Sequence, residues 1–284
     1  MNMNFVRAQA NTIVSRSIVR SSLAHHRPAA AVSTVGTWRQ NFSTSSNAKN
    51  IPKSTFGDVT FASLAENDEQ LKPLKDSHYL KPASDATIAK TKAALEKRGF
   101  KVHIVKDKAE AFEKVKSLIP AGASLNTAHS TTLEEISFVN YLIDGKHPWN
   151  NLKGVIMAEK DKAKQAILRR TLGTTPDVFL TSMCAITENG ELAHGDNSGT
   201  KVGGVSYGAG KVIVVAGSNK IVKNEEEAWK RVTDFCLPAV SAYGRKIFKQ
   251  PETFITNYQV LRQANPIEAP DRLEVVLVKE SLGF

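Results

Sequence analysis

From Pro82 to the C-terminus the apolar positions switch repeatedly between a helical and an extended period, and that alternation sets the expected fold. Ile88 and Leu95 are spaced for one helix face. Ser84 before them suits an N-cap and Gly99 after them a stop, which predicts a helix from Ser84 to about Arg98. Lys101-Val102-His103-Ile104-Val105 alternates with period two, as a strand does. Asp107 opens a second helix with Ala111, Val115 and Leu118 at helical spacing, and Pro120-Ala121-Gly122 ends it. A short strand over 123–128 leads into a third helix that begins near Thr131. Another helix is expected around Glu159 to Leu172, carrying Ala163, Ala166 and Ile167. Asp177 to Ser182 and Lys211 to Ala216 read as buried strands, with a hairpin at Asn189-Gly190 between them. Asn224 caps the acidic turn Glu225-Glu226-Glu227 of a helix expected to reach Pro238. Strand and helix in alternation predict a parallel α/β sheet.

The first part of the chain has a different character. Residues 1–50 hold Arg7, Arg16, Arg20, Arg27, Arg39 and Lys49 and no acid, while Val14 with Ile18 and Arg16 with Arg20 lie one helical turn apart on different faces. This composition predicts a mitochondrial presequence over 1–45, a matrix location for the mature protein, and cleavage between about Phe42 and Asn50. It also changes how the net charge of +10 reads: without those six residues, 32 basic groups stand against 28 acids, leaving +4. A body so mildly basic does not argue for a nucleic-acid partner. Residues 46–80, with Pro52, Gly57 and Pro73, read as a loosely structured lead-in with one short helix, and 81–284 as a single α/β domain. No apolar run approaches the ~20 residues of a membrane helix, so no membrane span is expected.

Four stretches could carry chemistry. Ser130, Thr131 and Thr132 follow His129 where a strand gives way to a helix, a place at which free backbone N–H groups and hydroxyls converge on a carboxylate or phosphate. The same residues, with Glu134 or Glu135 reaching back, also make an ordinary capping box, and the two roles are compatible. Asp196, Ser198, Gly199 and Lys201 gather donors, acceptors and a cation in one loop. Asn219 and Lys220 follow a buried strand at its C-terminal end, the edge where open α/β sheets place ligands. Glu188, in Thr187-Glu188-Asn189-Gly190, stands either as a carboxylate nucleophile or as a solvated acid of a type I′ turn.

Other signals fall away. Gly208-Ala209-Gly210-Lys211 lacks the spacing and the Ser/Thr of a Walker loop, and no G-x-G-x-x-G opens a helix. The histidines lack metal-ligand spacing. Cys184 and Cys236 form no C-x-x-C pair and complete no metal or cluster site of their own; Cys184 reads as reactive or, more commonly for such a residue, as a small buried hydrophobe.

Residues 179–222 also carry a resemblance. Ala185-Ile186-Thr187-Glu188, Gly190-Glu191-Leu192, Asp196, Gly199, Gly208, Lys211-Val212-Ile213-Val214-Val215, Gly217 and Asn219-Lys220-Ile221-Val222 resemble the signature of the lactate-utilisation (LUD) domain family. Ser130, Thr132-Leu133-Glu134-Glu135 and the terminal segment 276–284 match two further family segments in order, so the resemblance spans about residues 80–284. It implies a NagB/RpiA/CoA-transferase-like fold, with a mixed, mostly parallel sheet flanked by helices. It also implies a part in 2-hydroxy-acid utilisation beside an iron–sulfur oxidoreductase subunit. Relatives often carry a cysteine-rich tail that this chain lacks, so any cluster is expected on a partner, and this chain on an accessory or substrate-handling role. Cys184 replaces a usual Asn, and Lys201 a usual Arg, exchanging a planar fork for a point charge. Alternatives in the same light are a CoA-transferase-like or folate-cyclo-ligase-like enzyme acting through Glu188, and a non-catalytic anion- or partner-binding module.

Overall fold

Ten strands and the helices between them build two sheets in a computed structural model that describes residues 59–267 and 269–284. The presequence expected over 1–45 lies outside the described residues. The larger sheet has the order β1-β10-β7-β4-β2-β3, where β1 is Lys101–Val105, β2 Ser124–Thr127, β3 Asn150–Asn151, β4 Val178–Thr181, β7 Lys211–Gly217 and β10 Leu273–Val278. Every pair in it is parallel. Its central strands read as near-continuous apolar runs because both faces are covered. Val212 and Val214 point into one core with Val275 and Leu277; Ile213 and Val215 point into the other with Val276 and Val278.

The first two helices form as their caps dictate. Asp85–Lys97 starts at Ser84, whose hydroxyl accepts from the Thr87 N–H, and ends before Gly99. Lys108–Leu118 starts at Asp107, whose carboxylate accepts from Glu110 N–H. The third is a single short turn, Thr131–Glu135, capped by Ser130.

The smaller sheet, of order β8-β5-β6-β9, lies apart from this pattern. Ala185–Thr187 (β5) and Leu192–Asp196 (β6) form the hairpin, flanked by Ile221–Val222 (β8) and Asn257–Leu261 (β9). The Asn189-Gly190 turn therefore joins β5 to β6, whereas β4 and β7 pair in parallel. Gly190 sits at φ +88°, and a Cβ there would meet the Ala94 backbone at 2.6 Å, so the turn packs against the first long helix only because the side chain is missing.

Three expectations are corrected by packing. The helix near 160 runs over Lys162–Thr171, but Ile167 is exposed; the buried side chain is Gln165, whose amide donates to the Ile156 and Glu159 carbonyls. The helix begun at Glu225 continues through Pro238 to Phe248, with wide π turns at Arg231–Cys236 and Gly244–Phe248. The π turn just before Pro238 opens the ladder where a proline has no N–H to give. The described part of the lead-in contains its expected helix, Phe61–Ala65, yet it is not loose: Phe61, Leu64, Leu71 and Tyr79 are buried against the smaller sheet with Phe235 and Phe284. No helix among the described residues is long and apolar enough to cross a membrane.

Candidate functional site

The end of β2, the loop after β4 and the end of β6 open onto one cavity of ≈ 580 Å³, closed on the other side by the long C-terminal helix. Ser130, Thr131, Asp196, Ser198, Lys201 and Lys220 all line it. Two sheets thus deliver to one space residues separated by up to ninety positions in the chain, at the strand ends where the open sheet offers backbone N–H groups.

Lys220 is the most constrained of them. It is 1% exposed, and its ammonium donates to the Thr132 hydroxyl at 2.9 Å and the Ser182 hydroxyl at 3.1 Å. Burial, with the Arg231 guanidinium nearby, pulls its pKa down to about 8. An ammonium so deep without a carboxylate in hydrogen-bond contact retains unspent attraction for an anion. Thr132 accepts that bond and lies behind the wall; Gly199, in the left-handed region at the start of the Thr200–Gly203 turn, stays outside the lining. Asn219 also lies outside it. Its amide donates to the Tyr79 and Gly283 carbonyls and its oxygen accepts from Leu282 N–H, so it ties down the C-terminal segment.

That segment reaches the hydroxyl-rich turn from behind. Phe284 N–H donates to Thr131 Oγ1 and Gly283 N–H to Glu135 Oε2 at 3.1 Å. Gly283 has φ +62°, and a Cβ on it would fall 2.2 Å from Thr132 Oγ1. The capping box is therefore half built. Ser130 Oγ accepts from Leu133 N–H at 3.3 Å, but Glu135 serves the tail and Glu134 turns into the interior.

Glu134 belongs to a second polar group, set just behind the wall that His129, Lys153 and Tyr243 form. Tyr243 donates its hydroxyl to the Glu134 carboxylate at 3.1 Å, and the His129 ring packs against Tyr243 at a tilt of 57° with 4.6 Å between centroids. Burial raises the Glu134 pKa to about 7, against the opposing pulls of Tyr243 and Lys153. Lys153 is lowered to about 8 by burial. Burial together with Lys153 and Lys201 pushes His129 far below its ordinary range, so the imidazole is neutral at pH 7. A carboxyl and an amine that both titrate near neutrality, beside a neutral imidazole, can take and return a proton there.

Lys153, Arg169, Tyr243 and Cys236 complete the lining and were not singled out as site residues from sequence. Lys153 sits in the first turn of a short helix, Leu152–Ala158, that gives no clear periodic signal. Tyr243 lies beyond the expected helix end. Cys184 lines the cavity and is half-buried rather than sealed in the core.

Glu188 goes elsewhere. It stands on the β5–β6 turn outside the cavity, 2.6 Å from the Lys90 ammonium, while Glu191 pairs with Arg98 at 2.7 Å. The hairpin's acids hold the turn against the first long helix, and Glu188 is not among the residues that line this cavity.

A model of the LUD domain matches residues 88–278, more than half of the sequence. The chain belongs to the LUD domain family, and membership implies a function related to lactate utilisation. Among curated proteins none matches. Several solved structures bear some likeness. A DUF162 family protein from Deinococcus radiodurans shares 17% identity over 69% of this chain and 99% of its own, at a TM-score of 0.42. The delta subunit of eIF2B from Chaetomium thermophilum shares 14% identity over 52% of this chain and 58% of its own, at a TM-score of 0.24.

Proposed function

We propose that the protein holds a small 2-hydroxy carboxylate, of which lactate is the type, as the substrate-handling subunit of a mitochondrial oxidation system. The observation that carries this reading is the buried ammonium of Lys220, set between the Ser182 and Thr132 hydroxyls on the wall of a cavity that Lys201, Lys153 and Arg169 also line. The substrate's carboxylate seats against this cationic, hydroxyl-bearing end, and its hydroxyl faces neutral His129 on the lining, behind which the Tyr243-bonded Glu134 carboxyl titrates near 7. Ile156, Met157, Phe248 and Phe254 give the rest of the cavity an apolar wall, leaving room beyond a three-carbon acid for a second reactant or a partner's segment. The electron-carrying iron–sulfur centre is assigned to a partner protein. The acid-free, arginine-bearing stretch over residues 1–50 supports import into the matrix.

Calorimetric titration of the purified protein with L-lactate and, separately, with inorganic phosphate tests the site. Lactate should bind with one site per chain, and Lys220→Met should weaken it about 10–100-fold, as removal of one charge-assisted contact does. The melting temperature should not fall, because the buried charge is removed and Thr132 and Ser182 remain within reach of each other at 3.3 Å. Binding of neither anion, or equal binding by the folded Lys220→Met protein, would overturn the reading; phosphate binding without lactate would move the ligand to the phosphate-bearing class.

A further inference from the structure

Arg231 is the largest fully buried side chain of the described residues, yet its hydrogen-bond partners include no carboxylate. One amino group, Nη1, donates to the Cys184 carbonyl and, at 3.0 Å, to Cys236 Sγ, while Nε and Nη2 have no partner. The rings of Tyr79 and Phe235 stand 5.6 and 5.1 Å from the guanidinium carbon and cover it without neutralising it. A guanidinium withdrawn this far from water demands a negative charge nearby. The ionisable side chain to which it donates a hydrogen bond is a thiol.

That thiol is one of two. Cys184 stands at the end of the loop between β4 and β5, Cys236 closes the π turn of the C-terminal helix, and both face the cavity. Arg231 Nη1 ties the two together, since the nitrogen that donates to the Cys184 carbonyl also donates to Cys236 Sγ. Lys201 and Lys220 line the same cavity; Cys184 is the more exposed thiol and Cys236 is buried, so an oxidant entering the cavity reaches Cys184 first. The hydrogen bond from Cys236 and these cations hold the Cys184 thiol well below its ordinary pKa, and the same coupling raises Cys236.

We propose that Cys184 and Cys236 form a redox-active thiol pair in the cavity wall, with Cys184 the peroxide-reactive thiolate and Cys236 the thiol that resolves it. In the first step Cys184 sulfur attacks one oxygen of hydrogen peroxide. An S–O bond forms, the O–O bond breaks and hydroxide leaves, so that the sulfur is oxidised to a sulfenic acid and peroxide is reduced by two electrons. In the second, Cys236 sulfur attacks Cys184 sulfur; the S–S bond forms, the S–OH bond breaks, and hydroxide departs as water with the Cys236 proton. Two thiols and one peroxide thus give one disulfide and two waters. A free thiol pair between a buried arginine and a buried lysine meets the requirements of a sensor: an electropositive setting, partial exposure at Cys184, and a second thiol at hand. This assignment stands whether or not the cavity holds lactate. It has a consequence for any anion there, because the reduced thiolate competes for Lys220 and Lys201 and the disulfide releases them.

The full-length chain, reduced and then exposed to one equivalent of hydrogen peroxide, should lose 2 Da and yield a Cys184–Cys236 cross-linked peptide on digestion. Alkylation of Cys184 by iodoacetamide should proceed at a nearly constant rate from pH 7 to 9, whereas an ordinary thiol gains about tenfold per pH unit below its pKa. Cys236→Ser should stop at a sulfenic acid on Cys184 that dimedone traps, and Cys184→Ser should leave Cys236 unoxidised. A Cys184 alkylation rate that climbs tenfold per unit across that range in the unmutated protein would overturn the proposal. So would peroxide treatment that leaves both thiols free, or oxidation of Cys236 undiminished in folded Cys184→Ser protein.

Discussion

The six-stranded sheet and the layer that carries the cavity treat buried charge in opposite ways. In the sheet, Val212 to Val215 and Val275 to Val278 are fully buried aliphatic runs, and the buried Glu274 is met by Lys211 at 2.6 Å and His103 at 2.7 Å. Around the smaller sheet, Lys220 has two hydroxyls for company, two nitrogens of Arg231 have no partner, and neither ring nitrogen of fully buried His194 makes a hydrogen bond. A buried polar group left without a partner costs roughly 1–3 kcal/mol. The sheet is therefore where folding free energy comes from, and the cavity layer is where some of it is spent on groups held ready for something else.

The largest test of this division is a pair of substitutions read by urea denaturation. Phe179 on β4 is fully buried, and its ring fills the space that a side chain at Gly204 would take. Phe179→Ala should cost about 3–5 kcal/mol through lost burial and the void left behind. Arg231→Met removes a charge of comparable bulk whose hydrogen-bonding capacity is mostly unfilled, and should be near neutral or stabilising. If Arg231→Met destabilised the protein as strongly as Phe179→Ala, the layer would owe its stability to that charge and the contrast would fail.

Legibility from sequence follows the same boundary. Elements of the sheet and its flanking helices announce themselves: Ser84 and Asp107 cap where expected, Gly99 stops its helix, and the β4 and β7 runs are nearly continuously apolar because they are covered on both faces. The cavity layer is harder to read, since its periodicity is interrupted where it works. Gln165 occupies an inward position that an apolar count assigns to Ile167, and π turns carry the last helix past a proline that normally ends one. Ser130, Thr131, Asp196 and Lys201 could be picked out because loops between strand and helix draw polar residues for recognisable reasons. Cys236, Tyr243 and Lys153 could not, because only the fold brings them to that space, and neither thiol has a spacing motif.

The second test sets affinity against stability through pH. Lys153 and Lys220 titrate near 8 in the native protein and near 10.5 when unfolded. Between those values the unfolded chain holds more protons, so stability should rise with pH from about 8 to 10.5; the penalty of burying the two charges is complete below 8. Glu134 has the opposite sign. Its native pKa of about 7 exceeds the ordinary 4.5, so the native state keeps a proton that the unfolded chain has lost, and stability should fall as pH rises from 4.5 to 7. Anion binding needs the lysines charged and should weaken by about tenfold per pH unit above 8 for each lysine in contact. Lactate titrations and urea melts at pH 7.5 and 9.5 should thus move in opposite directions. Affinity that stays constant over that interval would detach Lys220 and Lys153 from the ligand.

The smallest effect should come from Glu188, and its smallness is informative. The carboxylate is partly exposed and pairs with a Lys90 side chain that is 65% exposed, in a turn already held by the Arg98 contacts to Asn189 O at 2.6 Å and to Glu191. Exposed pairs of this kind contribute about 0–1 kcal/mol. Glu188→Ala should therefore cost less than about 1 kcal/mol in urea and change lactate affinity by no more than about twofold. A carboxylate acting on an acyl group would behave differently: its removal would abolish turnover while leaving stability alone. The cavity has a carboxylate of its own in Asp196, with the Tyr243-bonded Glu134 buried behind its wall, so a Glu188→Ala protein that lost activity or binding by tenfold or more would mean that the β5–β6 turn swings into the site and that the two regions are not separate.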